Sequence, residues 1–170
     1  MRSEEIFTEA LEYEKKIRDL YLSAVEKIDD KRGKDLFKAL ADDEQSHVDF
    51  LEYSLDKLKN KDDVDISRLE SNIPSVEKLD RSIEKMKDKI PQHMLGDVKR
   101  VLNSALNLEI ETSRFYKDSY DKAEEGLIKE ILKKFHEIEE RHVEVVRVEL
   151  DFSSNNGHWF NFMEIDLEHG

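Results

Sequence analysis

The stretch Glu44-Gln45-Ser46-His47 places a carboxylate and an imidazole three residues apart within a long helical pattern. Residues at this spacing lie on the same face of a helix. That face is otherwise apolar, because Phe37, Leu40 and Leu51 continue it at steps of three and four residues. An unpaired buried carboxylate is strongly unfavourable, so we expect a cation to compensate its charge.

The same arrangement recurs 95 residues later, at Glu139-Glu140-Arg141-His142. Here Leu132, Phe135 and Val146 supply the apolar positions of the stripe. This second copy makes an accidental pairing of Glu and His a poor explanation. The doubled register therefore predicts one centre built from two similar halves.

A single glutamate lies thirty residues upstream of each motif, Glu14 in the first half and Glu109 in the second. Each interrupts an apolar helical stripe and is followed seven residues later by a tyrosine, Tyr21 or Tyr116. A shift of 95 residues superposes all these positions, so the chain contains an internal repeat of a helical hairpin. Four glutamates and two histidines in one bundle core indicate a metal site.

Composition favours long solvated helices over sheets. Of the 170 residues, 41% are charged and 38% hydrophobic, with only 5 Gly and 2 Pro. The net charge of −13 argues against nucleic acid and anionic membranes as partners, although it is also what a solvated helical surface produces. Cysteine is absent, which excludes disulfides and cysteine-held iron–sulfur clusters in these residues. The first residues contain no apolar run and no segment has the length needed to span a bilayer, so we expect a cytoplasmic protein.

Turn signals divide the chain into four long helices. The segment at residues 29–33 and Gly126 mark two short turns, so each pair of helices should be antiparallel. A long connection at residues 60–96 should contain a short helix between Pro74 and Pro91. The pattern predicts an all-α, ferritin-like four-helix bundle with one crossover over residues 1–150. The first helix should run from about Ser3 to about Ile28, and the second should follow the turn and end at about Lys59. The third should run from Asp97 to about Glu125, and the fourth from about Leu127 to Leu150.

Residues 151–170 form a different kind of segment. A break at 152–157 precedes alternating apolar residues, which is typical of extended chain. The aromatic and aliphatic side chains should dock on a surface. We expect residues 157–168 to take part in a homodimer contact, and the alternative is a tail that folds back on its own bundle. The side chains concerned are Trp159, Phe160, Phe162, Met163, Ile165 and Leu167.

The ligand chemistry of the predicted centre is dominated by oxygen. Structural zinc sites use Cys and His in sets of four, which does not fit four carboxylates with one imidazole per repeat. Two Glu from one pair of helices and two Glu-x-x-His motifs from the other describe a carboxylate-bridged di-iron or di-manganese site. Four carboxylates also balance the charge of two divalent ions. The predicted ligands are Glu14, Glu44, His47, Glu109, Glu139 and His142.

These residues resemble the rubrerythrin branch of the ferritin-like di-iron proteins over residues 3–59 and 97–150. The resemblance implies that the six predicted ligands hold two irons, and that the centre reduces hydrogen peroxide or dioxygen. It also implies that Tyr21 and Tyr116 donate hydrogen bonds to the carboxylates, the alternative being plain core packing.

Two features depart from rubrerythrin proper. Thr112 stands where the third helix of that protein carries an additional Glu, and no cysteines are present for its rubredoxin domain. Electrons would therefore come from a separate donor protein. The alternatives are a ferritin-like ferroxidase with iron storage, and a metal-dependent interaction module without turnover.

Overall fold

The computed structural model describes residues 3–73 and 88–160 and contains a four-helix bundle. This confirms the predicted all-α architecture. None of the described helices is long and apolar enough to cross a membrane. The helices are α1 (Ser3–Lys27), α2 (Lys31–Lys59), α3 (Leu95–Lys122) and α4 (Leu127–Asn156).

The first hairpin turns at residues 28–30, and this turn is tighter than predicted. Asp30 caps α2, because its side chain accepts a hydrogen bond from the backbone N–H of Gly33 at 3.1 Å. Gly33 therefore belongs to the first helical turn of α2, whereas the sequence pattern placed it in the connection. With the turn at 28–30, Glu14 and Glu44 lie equally far from it and reach the same level of the bundle.

The second hairpin turns at Gly126, whose φ of 142° is accessible to glycine but strained for other residues. Helix α3 begins at Leu95, two residues before the predicted Asp97, because a 3₁₀ turn at Gln92–Met94 leads into it. It ends at Lys122, before the predicted Glu125.

Helix α4 continues past the predicted end at Leu150, and the break expected at 152–157 is wrong. Buried Ser153 donates a hydrogen bond to the Leu150 carbonyl at 2.9 Å inside the helix. The helix stops at Gly157, which adopts the left-handed conformation with φ 65°. A glycine at this position is the usual C-terminal stop, because it lacks the Cβ that makes this conformation costly.

The crossover is described only in part. It contains a 3₁₀ turn at Ile66–Arg68 and a short strand β1 (Asp88–Lys89). Most of the helix predicted between Pro74 and Pro91 lies outside the described residues, and its expected C-terminal part is strand instead.

The start of the tail docks on the bundle of its own chain. Strand β2 (His158–Trp159) pairs with β1 in antiparallel register. Trp159 and Phe160 are fully buried, with Trp159 edge-on to Phe37 and Phe160 stacked on Phe152. For these two side chains the fold-back alternative is the one observed. Residues 161–170 lie outside the described residues.

Two apolar clusters divide the core of the bundle. One includes Ile17 and Leu40 near the 28–30 turn, and the other includes Phe7 and Phe135 towards the opposite end. The level of Glu14 and Glu44 lies between these clusters. Apolar packing therefore encloses the polar residues from both ends.

Candidate metal centre

All six predicted ligands are fully buried, and the fold brings them together between the two apolar clusters. Their side chains form two overlapping groups, within each of which one ligand atom per residue lies within 4.8 Å of the others. Glu44 and Glu139 belong to both groups. The His47 subsite consists of Glu14, Glu44, His47 and Glu139, and the His142 subsite of Glu44, Glu109, Glu139 and His142.

Most of these ligands carry buried polar atoms without a hydrogen-bond partner. Such atoms are rare in folded proteins, because each loses its water without a replacement. An oxygen-rich cluster of this kind fits two hard divalent ions. The unpaired atoms are Glu14 Oε2, Glu44 Oε2, His47 Nδ1, Glu109 Oε2 and both carboxylate oxygens of Glu139.

The two tyrosines bridge the hairpins at the centre. The Tyr116 hydroxyl donates to Glu14 Oε1 at 2.8 Å, and the Tyr21 hydroxyl donates to Glu109 Oε1 at 3.1 Å. Burial raises the pKa of both phenols, as do the nearby carboxylates, so the phenols keep their protons. Each tyrosine thus holds one oxygen of a carboxylate and leaves the other oxygen available to a subsite.

Both histidines point Nδ1 into the centre and Nε2 outwards. His47 Nδ1 lies 3.6 Å from Glu44 Oε2, and His142 Nδ1 lies 2.8 Å from Glu44 Oε1. Outside, Nε2 of His142 donates to Asp43 Oδ2 at 2.7 Å and Nε2 of His47 donates to the Glu70 carbonyl at 3.2 Å. A proton kept on Nε2 leaves Nδ1 of each ring as the atom that could bind a metal ion.

A family model described as Rubrerythrin matches residues 5–150 of this sequence. The chain belongs to the rubrerythrin family. A search of curated proteins and a search of solved structures found no match. The family match and the buried Glu and His groups together fit a di-iron carboxylate protein.

Before a metal ion binds to this rubrerythrin-family chain, protons would offset part of the carboxylate charge of the centre. Burial alone would lower the pKa of His47, but the neighbouring carboxylates of Glu14 and Glu44, 3.8 and 3.6 Å from its Nδ1, raise it to about 10. The pKa of His142 is also raised, against the effect of burial, chiefly by Glu109 and Glu44. Burial and the neighbouring carboxylates raise the pKa of Glu139 as well. Metal ions must therefore displace protons to enter the centre.

Asp43 is a residue of the site that the sequence analysis missed. It is 2% exposed and accepts hydrogen bonds from Ser71 Oγ and from the Asn72 backbone N–H, both at 2.8 Å. Burial alone would raise its pKa, but the bond with His142 holds it well below the usual range. A sequence signal did exist, because the repeat partner of Asp43 is the apolar Ile138, which indicates an inward-facing position.

Thr112 supplies no substitute for the additional glutamate of rubrerythrin proper. It is fully buried, and its hydroxyl donates to the Leu108 carbonyl at 2.7 Å within the same helix. The neighbouring Glu111 is exposed and lies on the outer face of α3 beside Tyr13. Among the described residues, Glu109 is therefore the carboxylate that α3 contributes to the centre.

Proposed function

We propose that this chain binds two iron ions through the six buried residues and reduces hydrogen peroxide to water, with dioxygen as a slower oxidant. The observation that carries the proposal is the set of buried, unpaired carboxylate oxygens shared between two adjacent subsites. Four carboxylates balance two ferrous ions in charge. Manganese fits the same ligands, and metal analysis of the purified protein distinguishes it from iron.

Burial of the centre favours a small oxidant. All six ligands are inaccessible to solvent, and apolar clusters pack on both sides of their level. Hydrogen peroxide and dioxygen are small enough to reach such a centre through fluctuations of the packing, whereas a larger organic substrate could not contact these fully buried side chains without a rearrangement of the helices. The same packing keeps bulk water away from the reacting oxygens.

When bound, the two ferrous ions would each supply one electron to the O–O bond of hydrogen peroxide, which with two protons yields two water molecules. The protein holds the shared carboxylates Glu44 and Glu139 between the subsites. The hydroxyl groups of Tyr21 and Tyr116 hold the two carboxylates that are not shared, those of Glu109 and Glu14 respectively. These 170 residues contain no cysteine for a rubredoxin-type centre, so electrons would have to come from outside them, and we propose an electron-donor protein as their source.

Metal analysis followed by rapid kinetics tests this proposal. Protein purified without chelator should contain close to two iron ions per chain, and the ferrous form should be oxidised faster by peroxide than by dioxygen in stopped-flow absorbance. Glu139→Gln should lose metal and oxidation together, whereas Glu137→Gln, an exposed neighbour on the same helix, should behave as wild type. Absence of bound metal, or a centre inert to both oxidants, would contradict the proposal.

The same measurements separate the alternative functions. A ferroxidase that stores iron requires a large hollow assembly, so its mass in solution would be many times that of one chain. A metal-dependent interaction module would bind two ions but show no oxidation by either oxidant. Manganese in place of iron would leave the ligand set intact and change the redox proposal.

A further inference from the structure

The two metal subsites are built almost symmetrically. Each has its own Glu, its own His and a tyrosine from the other hairpin, and they share Glu44 and Glu139. Hydrogen bonds at matching positions continue to the periphery, where Arg18 donates to Gln45 at 3.1 Å and Ser113 donates to Glu140 at 2.6 Å, although the residue types differ. Any difference between the subsites must therefore come from residues that break the repeat.

Asp43 breaks the repeat beside the histidines. Its repeat partner is the neutral Ile138, and within residues 3–73 and 88–160 Asp43 is the anionic side chain that lies beside the two outer Nε2 atoms. Asp43 Oδ2 lies 2.7 Å from Nε2 of His142 but 3.7 Å from Nε2 of His47, beyond a hydrogen bond. The outer partner of His47 is the neutral Glu70 carbonyl, at 3.2 Å.

This difference should strengthen one histidine as a ligand. An anionic acceptor on the outer N–H raises the basicity of the inner nitrogen more than a neutral carbonyl does, and a charge-assisted bond is stronger and shorter. Asp43 is also fixed in advance, because Ser71 and Asn72 bind its two oxygens. The ring of His142 is therefore held ready for a metal ion with little reorganisation.

We propose that Asp43 is a positioning residue that makes the His142 subsite the tighter of the two, so that the first ion binds there. This inference rests on the proposed binding of two metal ions but not on peroxide as the oxidant. It predicts two separate steps in a metal titration, with the His47 subsite filled second.

Single-subsite variants allow the two affinities to be measured apart. His47→Ala retains the His142 subsite, and His142→Ala retains the His47 subsite. Titration with Co²⁺ alone, followed by its visible absorption, should show tighter binding to the His47→Ala chain. Adding Asp43→Asn should weaken Co²⁺ binding to the His47→Ala chain by about 10- to 100-fold, and binding to the His142→Ala chain by a much smaller factor.

Asp42→Asn is the matched control. Asp42 is the exposed neighbour of Asp43 and pairs with Lys38 rather than with a histidine. This variant should leave both affinities unchanged. Helical circular dichroism shows whether each variant folds, and if Asp43→Asn does not fold, the direct comparison of His47→Ala with His142→Ala still decides the inference.

The outcomes separate this inference from the proposed function. Equal Co²⁺ affinities of the two single-subsite chains, or an equal effect of Asp43→Asn on both, would overturn the inference while leaving a two-metal centre. A wild-type chain that binds no Co²⁺ and no ferrous iron would overturn the proposed function itself.

Discussion

At the scale of single residues, binding of metal ions to the centre would require the loss of protons from its side chains. His47 and His142 carry raised pKa values because carboxylates surround them, and a metal ion can bind Nδ1 only after its proton has left. Each tyrosine hydroxyl in turn holds one carboxylate oxygen that would otherwise have no partner. The chemistry of the centre is therefore set by which cation occupies the inner face of these side chains.

Metal binding should release protons at neutral pH. The pKa of about 10 for His47 in the metal-free chain means that its ring is charged at pH 7, so an incoming ion displaces that proton and its affinity should fall as the pH is lowered. Calorimetric titration with Co²⁺ in two buffers of different ionisation enthalpy measures the number released. His47→Ala should release fewer protons than wild type. Identical heats in both buffers would contradict the expectation.

Tyr116→Phe should destabilise the metal-free chain by about 1–3 kcal/mol, because Glu14 Oε1 loses its partner while remaining buried. Chemical denaturation measures the change in the free energy of unfolding. Tyr120→Phe is the control on the same helix, since the Tyr120 ring packs beneath Lys129 near the surface, away from the carboxylates. It should change stability by less than about 0.5 kcal/mol. Equal losses in both variants would show that the hydrogen bond to Glu14 is unimportant.

At the scale of elements, the first turn of α2 and strand β2 depend on each other. Gly33 leaves room for the tail, because a Cβ at this position would lie 2.6 Å from Ile28 Cγ2 and 2.8 Å from Trp159 Cζ2. Phe160 is held by its backbone N–H, which donates to the buried carboxylate of Glu149 at 3.0 Å. The start of the tail is therefore held on the bundle by close packing of Trp159 and by a backbone hydrogen bond of Phe160.

Gly33→Ala should lower the stability of the chain despite the better helix propensity of alanine. Overpacking costs about 1–3 kcal/mol, whereas the gain in propensity is about 1 kcal/mol at most. Gly96→Ala is the matched control, because nothing lies within 4 Å of its Cβ position in α3, and it should be neutral or stabilising. Urea denaturation measures both. A more stable Gly33→Ala chain would show that Trp159 does not pack against this glycine in solution.

At the scale of the whole molecule, buried titratable groups make folding depend on pH. The pKa of His47 rises from 6.5 to about 10 on folding, so the folded chain binds more protons than the unfolded chain in that window and stability falls as the pH rises through it. Burial raises the pKa of Glu44, Glu139 and Glu149 above the ordinary 4.5. These carboxyl groups therefore also lower the stability of the folded chain as the pH rises, beginning above about 4.5.

The melting temperature of metal-stripped protein should therefore decrease between pH 6.5 and 10. Added Co²⁺ should raise it, because the ion binds the folded centre and takes over the charge balance that protons lose. Thermal melts followed by circular dichroism measure both effects. A melting temperature that is flat or rises over this window in the stripped protein would contradict the proposed proton balance.

A homodimer formed through residues 157–168 remains a prediction, and only part of that segment is available for it. Trp159 and Phe160 pack into their own bundle, so the contact would use the side chains beyond them. Deletion of everything after Phe160 should produce a monomer of near-normal stability. Deletion after Asn156 should produce a monomer that is also less stable by about 1.5–3 kcal/mol for each of these two side chains. Light scattering on dilution measures the mass, and a dimer that survives both deletions would exclude the tail as the interface.

The sequence by itself determined the bundle and the composition of its centre. Helical periodicity is a local property, so the apolar stripes, the two short turns and the interruptions at Glu14, Glu44, Glu109 and Glu139 could be identified without coordinates. The short turns then indicated that the interruptions within each hairpin face each other, and the 95-residue repeat indicated that the two hairpins contribute equivalent sets. The six residues selected in this way are the ones that the fold brings together.

Only the tertiary structure showed which side chains surround the predicted ligands and where the helices of the bundle end. The repeat marks Asp43 only as an inward-facing position, and its role depends on a histidine from α4 and on the crossover residues Ser71 and Asn72. The end of α4 at Gly157 and the seating of Trp159 likewise depend on packing between distant parts of the chain. Such contacts follow from the rotation of each helix about its axis and from the path of the crossover, which periodicity does not specify.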